Sequence, residues 1–419
     1  MAKGLNRRAF IKMASGAAAA VSANWFLPKF SSAAVDEIRI GGLFELSGGL
    51  STLGVVQAKG AEYAIKVINE TGGAVGSKPG VLGKPVKLLV EDTESKVPSG
   101  LAKAKKLVER DKVHVLTGIT MSSISIAVQE YIKEKKIPFF NTGSGNEALV
   151  TPPNCGRYFF KGLIGTPQSA LAVQYPARKY GNRVYFVADD YTWGYTYVKF
   201  FKKALELMGK PEVVGEDYTP FNTDNYAPFI TKAMAAKPAF LVAAVAGGYA
   251  RFITQANQMG LKIPIHHPYF SKPDVKAAGD AALGLTCGGE FLIDNPKVPR
   301  AKKFAEGLKA FTGDTPGATE AHAFNGVEMI CKAIQQAGGL DPDKIVEALE
   351  NMVFQESVIM PGYKFRKCDH GPTVDVYVLE VIKHPEYGYD VKMVEQIKDP
   401  EVLMLPCGQT GCEEAMKKS

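Results

Sequence analysis

From residue 38 onward the chain alternates short β-branched, apolar runs with stretches of helical period, and this rhythm runs twice. The first pass predicts strands at 38–46, 85–91, 113–118 and 137–140. Helices at 54–69, 101–110 and 124–135 lie between them. In the first helix Ala61, Ala64, Ile65 and Ile68 share one face. Strand–helix–strand order of this kind implies a parallel sheet covered on both faces and joined by right-handed crossovers. After the Pro/Gly-rich stretch 151–156 the pattern restarts, with strands at 183–188, 211–218, 239–246 and 263–266 and helices at 195–208, 226–236 and 249–259. The last third breaks the rhythm: helices at 299–311, 319–337 and 343–351 precede strands at 374–382 and 389–397. With no alternating core of their own, these segments are expected to complete the two earlier units. The fold class read from this pattern is α/β, with two doubly wound Rossmann-like lobes.

The 419 residues suffice for two or three globular units. The formal charge of +7 suggests a polyanion partner until its distribution is examined. Residues 1–34 hold Lys3, Arg7, Arg8, Lys12 and Lys29 and no acid, which leaves 45 basic against 43 acidic residues in the remainder. The body therefore has no nucleic-acid footprint. The leader itself reads as an export signal: a basic start, an uncharged stretch from Met13 to Pro28 too short to span a bilayer, and Ser32, Ala33 and Ala34 before Val35. Asn6-Arg7-Arg8-Ala9-Phe10-Ile11-Lys12 is similar to a twin-arginine signal. The first cysteine is Cys155, so a free, soluble periplasmic protein without a lipid anchor is expected. Six cysteines (155, 287, 331, 368, 407 and 412) allow 15 pairings in an oxidising compartment. The nearest two, Cys407 and Cys412, are the pair expected to bond, with free thiols as the alternative.

In an open parallel sheet the ligand site lies beyond the carboxyl ends of the strands, where helix N-termini offer free N–H groups. Thr120-Met121-Ser122-Ser123 follows such a strand and opens a helix. Its hydroxyls and amides suit a carboxylate, although a serine there also serves as a simple helix cap. Asn141-Thr142-Gly143-Ser144-Gly145-Asn146-Glu147-Ala148 follows the next strand. Gly143, Gly145 and Ala148 match the dinucleotide pattern G-x-G-x-x-A, but Val150-Thr151-Pro152-Pro153 cannot continue a helix and no acid follows at the required distance. A glycine turn that admits a small ligand fits better, and no cofactor is expected. Nucleophile-elbow, P-loop and zinc-protease motifs are absent. His266-His267 and Cys368-Asp369-His370 contain metal-ligand types, but neighbours on a strand face opposite ways, so a structural role is the expectation and no metal site is assigned. Tyr191, Trp193 and Tyr195 lie just past a second-unit strand, where they either pack a helix start or wall an apolar ligand.

These residues resemble the type I periplasmic solute-binding proteins of ABC importers, in the leucine/isoleucine/valine group. The likeness covers essentially the whole chain after the leader. It is carried by Ser47-Gly48, Gly54, Gly60-Ala61, Ala64, Ile68-Asn69 and Gly72-Gly73, then by Val90-Glu91-Asp92-Thr93, Gly118 with Ser122-Ser123, Ile137-Pro138 with Gly143, and Gln255 with Gly260-Leu261. The resemblance implies two lobes joined by three crossovers, near residues 160, 288 and 362. It places 35–159 plus 289–362 in one lobe and 160–288 plus 363–419 in the other. It implies ligand contacts from Leu53, Met121, Ser122, Ser123, Ser144, Gly145, Tyr191, Trp193 and Tyr269, with the Ser122 hydroxyl and the Ser144–Gly145 turn on the ligand's carboxylate.

Two positions depart from the amino-acid-binding pattern. Gly145 stands where a threonine usually helps hold the carboxylate, and Tyr269 stands about where an acid pairs with the α-ammonium. Losing that charge-assisted bond costs about 1.5–3 kcal/mol, so an aromatic or other organic carboxylate is expected instead of a branched-chain amino acid. The implied protein is a monomeric, non-enzymatic receptor working with an inner-membrane permease. The alternatives are an exported oxidoreductase of Rossmann type and a ligand-sensing module of a receptor.

Overall fold

The computed structural model describes residues 36–418, so the expected signal peptide at 1–34, with its twin-arginine pair and cleavage site, lies outside the described residues. Five parallel strands form the first sheet: β1 (Ile38–Phe44), β2 (Val86–Asp92), β3 (Val115–Gly118), β4 (Phe139–Asn141) and β5 (Phe159–Lys161), in the order β2-β1-β3-β4-β5. All but one residue of β1 are buried, because helices cover both faces and leave no polar side for alternation. The second sheet repeats that order with β6 (Arg183–Asp189), β7 (Glu212–Thr219), β8 (Phe240–Ala244), β9 (Ile265–His267) and β10 (Thr286–Gly289). A small antiparallel ribbon follows, β11 (Lys364–Phe365) with β12 (Pro372–Thr373). The hairpin of β13 (Tyr377–His384) and β14 (Gly388–Gln396) then extends the second sheet by pairing antiparallel with β10.

The last third completes both units. Its helix Ala318–Ala337 packs along the helix Ser51–Thr71 through a stripe of small residues. A Cβ on Gly60 would sit 2.4 Å from the Glu320 carbonyl oxygen, so glycine is what lets the two backbones approach. Helix Ser51–Thr71 ends where Gly72, at φ 84°, turns left-handed and returns its N–H to the Ile68 carbonyl.

The chain crosses between sheets after β5 and after β10. The third crossing falls later than the expected residue 362, because Tyr363, Phe365, Val374 and Val376 are still packed in the first lobe's core and Tyr377 is the first residue in the second. The chain end also departs from the expected assignment of 363–419 to the second lobe. Beyond β14, Ile397 donates its N–H to the Val376 carbonyl, and the tail then returns to the first lobe. Two disulfides hold it there, Cys155–Cys412 and Cys368–Cys407, with Cα separations of 5.6 and 5.5 Å. The expected Cys407–Cys412 bond does not form: each of those cysteines meets a buried partner in the first lobe. Cys287 and Cys331 are free and buried.

Candidate functional site

Strand order reverses between β1 and β3 in the first sheet and between β6 and β8 in the second, and the loops leaving those carboxyl ends face one cavity. Its free volume is about 70 Å³, room for roughly five waters or one small ring. Leu50 and Leu53, at the start of helix Ser51–Thr71, form one wall. Tyr191, Trp193 and Tyr269 form the other, and all of them share one apolar cluster, so the lobes meet across the cleft. The rings interlock: Tyr191 stacks on Trp193 at 6.0 Å between centroids, and Tyr269 meets Trp193 edge-on at 5.9 Å.

Polar groups in this wall are few. Gln57, fully buried, accepts from the Thr120 hydroxyl through Oε1 at 3.2 Å and donates through Nε2 to the Thr142 oxygen at 3.1 Å. That leaves the Thr142 proton free to point at a ligand oxygen. The Tyr269 hydroxyl is buried with no hydrogen-bond partner, and burial raises its pKa well above the ordinary value. Glu290, 3% exposed, is the one carboxylate in the wall among the described residues. Among the described residues no Lys or Arg side chain lines the cavity. What favours an anion instead is the start of helix Thr192–Glu206, with no acid in its first turn; at the start of helix Ser122–Lys135 the N–H groups of Thr120 and Met121 are already given to Glu45. Such a dipole end is worth about 0.3–1 kcal/mol.

Of the residues singled out from sequence, Leu53, Gly145, Tyr191, Trp193 and Tyr269 line the cavity. Met121 lies just outside, packed against both the first core and the aromatic cluster. Ser122 is 1% exposed and does not cap its helix: Met121 is the capping residue, and the Ser122 hydroxyl is left without a partner. Ser123 is half-buried outside the lining. Ser144 departs from the expected role, since its hydroxyl is committed inward to the Thr120 carbonyl at 2.8 Å and to Ser125 at 3.0 Å. Its N–H goes to Asn141 Oδ1 at 2.9 Å. Gln57 and Glu290 escaped the sequence reading, and Thr120 and Thr142 entered it only as members of their loops. Thr120 and Thr142 open the two loops that had been singled out, whereas Gln57 and Glu290 carry no local signal.

The dinucleotide-like stretch holds no phosphate cradle, since Glu147–Val150 forms only one short 3-10 turn. His266 bonds Thr286 at 2.9 Å and His267 bonds the Val245 and Tyr269 carbonyls at 2.8 Å. Burial lowers their pKa values to about 3 and about 4, so both are neutral packing residues. Cys368 is disulfide-bonded, Asp369 pairs with Arg366, and His370 bridges Phe159 and Glu350. Among the described residues no cluster of three metal-ligand side chains occurs, and no helix is long and apolar enough to cross a membrane.

Comparison with known proteins places this geometry among relatives. A periplasmic binding protein family profile matches residues 37–385. The chain is 26% identical over 333 residues to the leucine-, isoleucine-, valine-, threonine- and alanine-binding protein of Pseudomonas aeruginosa, covering 77% of this chain and 85% of that one. An ABC transporter substrate-binding protein from Sphaerobacter thermophilus superposes with a TM-score of 0.74 at 26% identity, over 86% of this chain and 98% of the other. A solute-binding protein of an ABC transporter from Rhodopseudomonas palustris, solved with 3,4-dihydroxybenzoic acid, superposes with a TM-score of 0.76 at 23% identity, over 87% and 99%.

Proposed function

The chain belongs to the periplasmic binding protein family, and from that premise we propose that it captures a small aromatic carboxylate between its lobes and presents it to an ABC permease. The observation that carries this reading is the cavity itself. It is walled by leucines from one lobe and by Tyr191, Trp193 and Tyr269 from the other, so only the closed form surrounds a solute on both sides. A ligand that contacts both walls shifts the hinge equilibrium toward closure without any covalent step. The carboxylate is held by the free Thr142 proton, the unpartnered hydroxyls of Ser122 and Tyr269 and the start of helix Thr192–Glu206. The family is one of transport receptors, and its Rhodopseudomonas palustris neighbour was solved with an aromatic acid. The leader at 1–34 delivers the chain to the periplasm by a twin-arginine route in this reading.

Calorimetry with benzoate, 4-hydroxybenzoate and leucine tests it. Binding of an aromatic acid with no leucine signal is the expected result; micromolar leucine binding with no aromatic response refutes it. A pairing of Glu290 with an α-ammonium favours the second reading, an aliphatic amino acid, and the same titrations decide between them.

A further inference from the structure

We propose that Glu290 is the specificity residue of this cavity, accepting a hydrogen bond from a donor group that the solute carries besides its carboxylate. The proposal rests on the cavity being the solute site.

Glu290 directly follows β10, where the chain crosses back to the first lobe, and its side chain stands in the cavity wall while 3% exposed. Only one of its oxygens is served. Oε1 receives the Nε2 of His322, itself 1% exposed, and lies 3.5 Å from the Ile164 N–H. Among the described residues Oε2 accepts no hydrogen bond, and no Lys or Arg lines the cavity to neutralise it. Neither nearby tyrosine serves it: Tyr197, beside it in the wall, bonds Ser169 at 2.8 Å, and the buried Tyr363 hydroxyl, which senses its charge, makes no hydrogen bond among the described residues. The free His322 nitrogen, Nδ1, is buried without a partner, so this histidine is spent on orienting one carboxylate. A buried, oriented and half-satisfied carboxylate in the cavity wall calls for a donor to complete it. A site built around such a group rejects solutes that lack the donor, because the acceptor is then left desolvated and unpaired.

The shared chemistry is an N–H or O–H donor on a small carboxylate. A phenolic hydroxyl and an ammonium both supply it; the surrounding rings of Trp193 and Tyr269 favour the phenol. The test is calorimetry on the intact protein with benzoate, 3-hydroxybenzoate, 4-hydroxybenzoate and leucine, using wild type and Glu290→Gln. Wild type is expected to bind one hydroxybenzoate about ten- to a hundredfold more tightly than benzoate, and Glu290→Gln to lose that preference while holding benzoate within about threefold. Equal weakening of benzoate and hydroxybenzoate in the variant means a structural role and overturns the proposal. So does a wild type that binds them alike, an arm that needs no variant to fold. A selective loss of leucine in Glu290→Gln assigns the donor to an ammonium, which supports Glu290 as acceptor and refutes the aromatic reading. No binding of any of the four overturns that reading and the proposal with it.

Discussion

Tyr269→Phe removes one oxygen and leaves the ring where it is, edge-on to Trp193 at 5.9 Å and to His267 at 4.8 Å. Among the described residues that oxygen is buried and finds no hydrogen-bond partner. An unsatisfied buried hydroxyl costs about 1–3 kcal/mol, so the variant is expected to be more stable than wild type by that order. Binding is expected to move the opposite way. If the hydroxyl meets the solute's carboxylate, its loss costs about 1.5–3 kcal/mol, roughly ten- to a hundredfold in affinity; against a neutral group the loss is about 0.5–1.5 kcal/mol, roughly two- to tenfold. Urea unfolding of the ligand-free protein gives the first number and calorimetry with the preferred acid gives the second. Opposed signs identify a group positioned for a ligand at a cost to the fold. A variant that loses stability while keeping its affinity refutes the reasoning, because it means that the oxygen is satisfied within the protein.

The Ser122 hydroxyl is buried and unpartnered in the same way, and Met121 occupies the capping position. Ser122→Ala is therefore expected to leave ligand-free stability equal or higher and to weaken binding several-fold to about tenfold, measured by the same two experiments. A drop of about 1 kcal/mol in stability with unchanged affinity returns this serine to a helix-start role. Asp189, fully buried, makes stability depend on pH: burial raises its pKa to about 6, against the three hydrogen bonds it accepts from Ala246, Gly247 and Thr219. The folded state then holds a proton that the unfolded state releases from about pH 4, so this contribution falls as pH rises from about 4 to 6, by two units at about 1.4 kcal/mol each, or about 3 kcal/mol. Asp189→Asn is expected to flatten the urea midpoint over that window relative to wild type, and an unchanged slope contradicts it.

Local pattern made the alternating elements legible, since each helix carries a 3.6-residue signal and the longer buried strands read as short apolar runs. Strand β5, three residues long, is too short to show one, and its place at the sheet edge depends on pairing with β4. Loop position pointed to Tyr191 and Trp193, because residues just past a strand's carboxyl end face the cleft in any open sheet, whereas Leu53 and Tyr269 came only from the family resemblance. Side-chain direction was not readable. Ser144 sits in the right loop and turns inward because the Thr120 carbonyl lies 2.8 Å away, a contact made 24 residues along the chain. Glu290 and His322 meet across 32 residues, and Cys155 and Cys412 across 257. The chain's return to the first lobe decides such pairs, and spacing does not encode it.

Both lobes place an acid at the end of their first strand and aim it at the same target. Glu45, just past β1, accepts the N–H groups of Thr120 and Met121 at 2.9 and 3.0 Å; Asp189, ending β6, accepts those of Ala246 and Gly247 at 2.8 and 3.1 Å. Loop amides at this point of a doubly wound sheet are the donors that ordinarily receive a phosphate. Here a fixed carboxylate occupies them from behind, and Thr120 and Ala246 themselves line the cavity. Each charge of a polyanion brought within about 6 Å of such a carboxylate, at an effective dielectric near 20, meets roughly 3 kcal/mol of repulsion. A dianionic phosphate pays that twice, whereas a monocarboxylate meets it once and can orient its apolar ring toward Trp193. With these loop donors consumed, what remains for an anion is the Thr142 proton, the hydroxyls of Ser122 and Tyr269 and the start of helix Thr192–Glu206. This is the physical reason for expecting those few hydroxyls to carry a large share of the affinity, and for expecting the solute to be small, singly charged and mostly apolar.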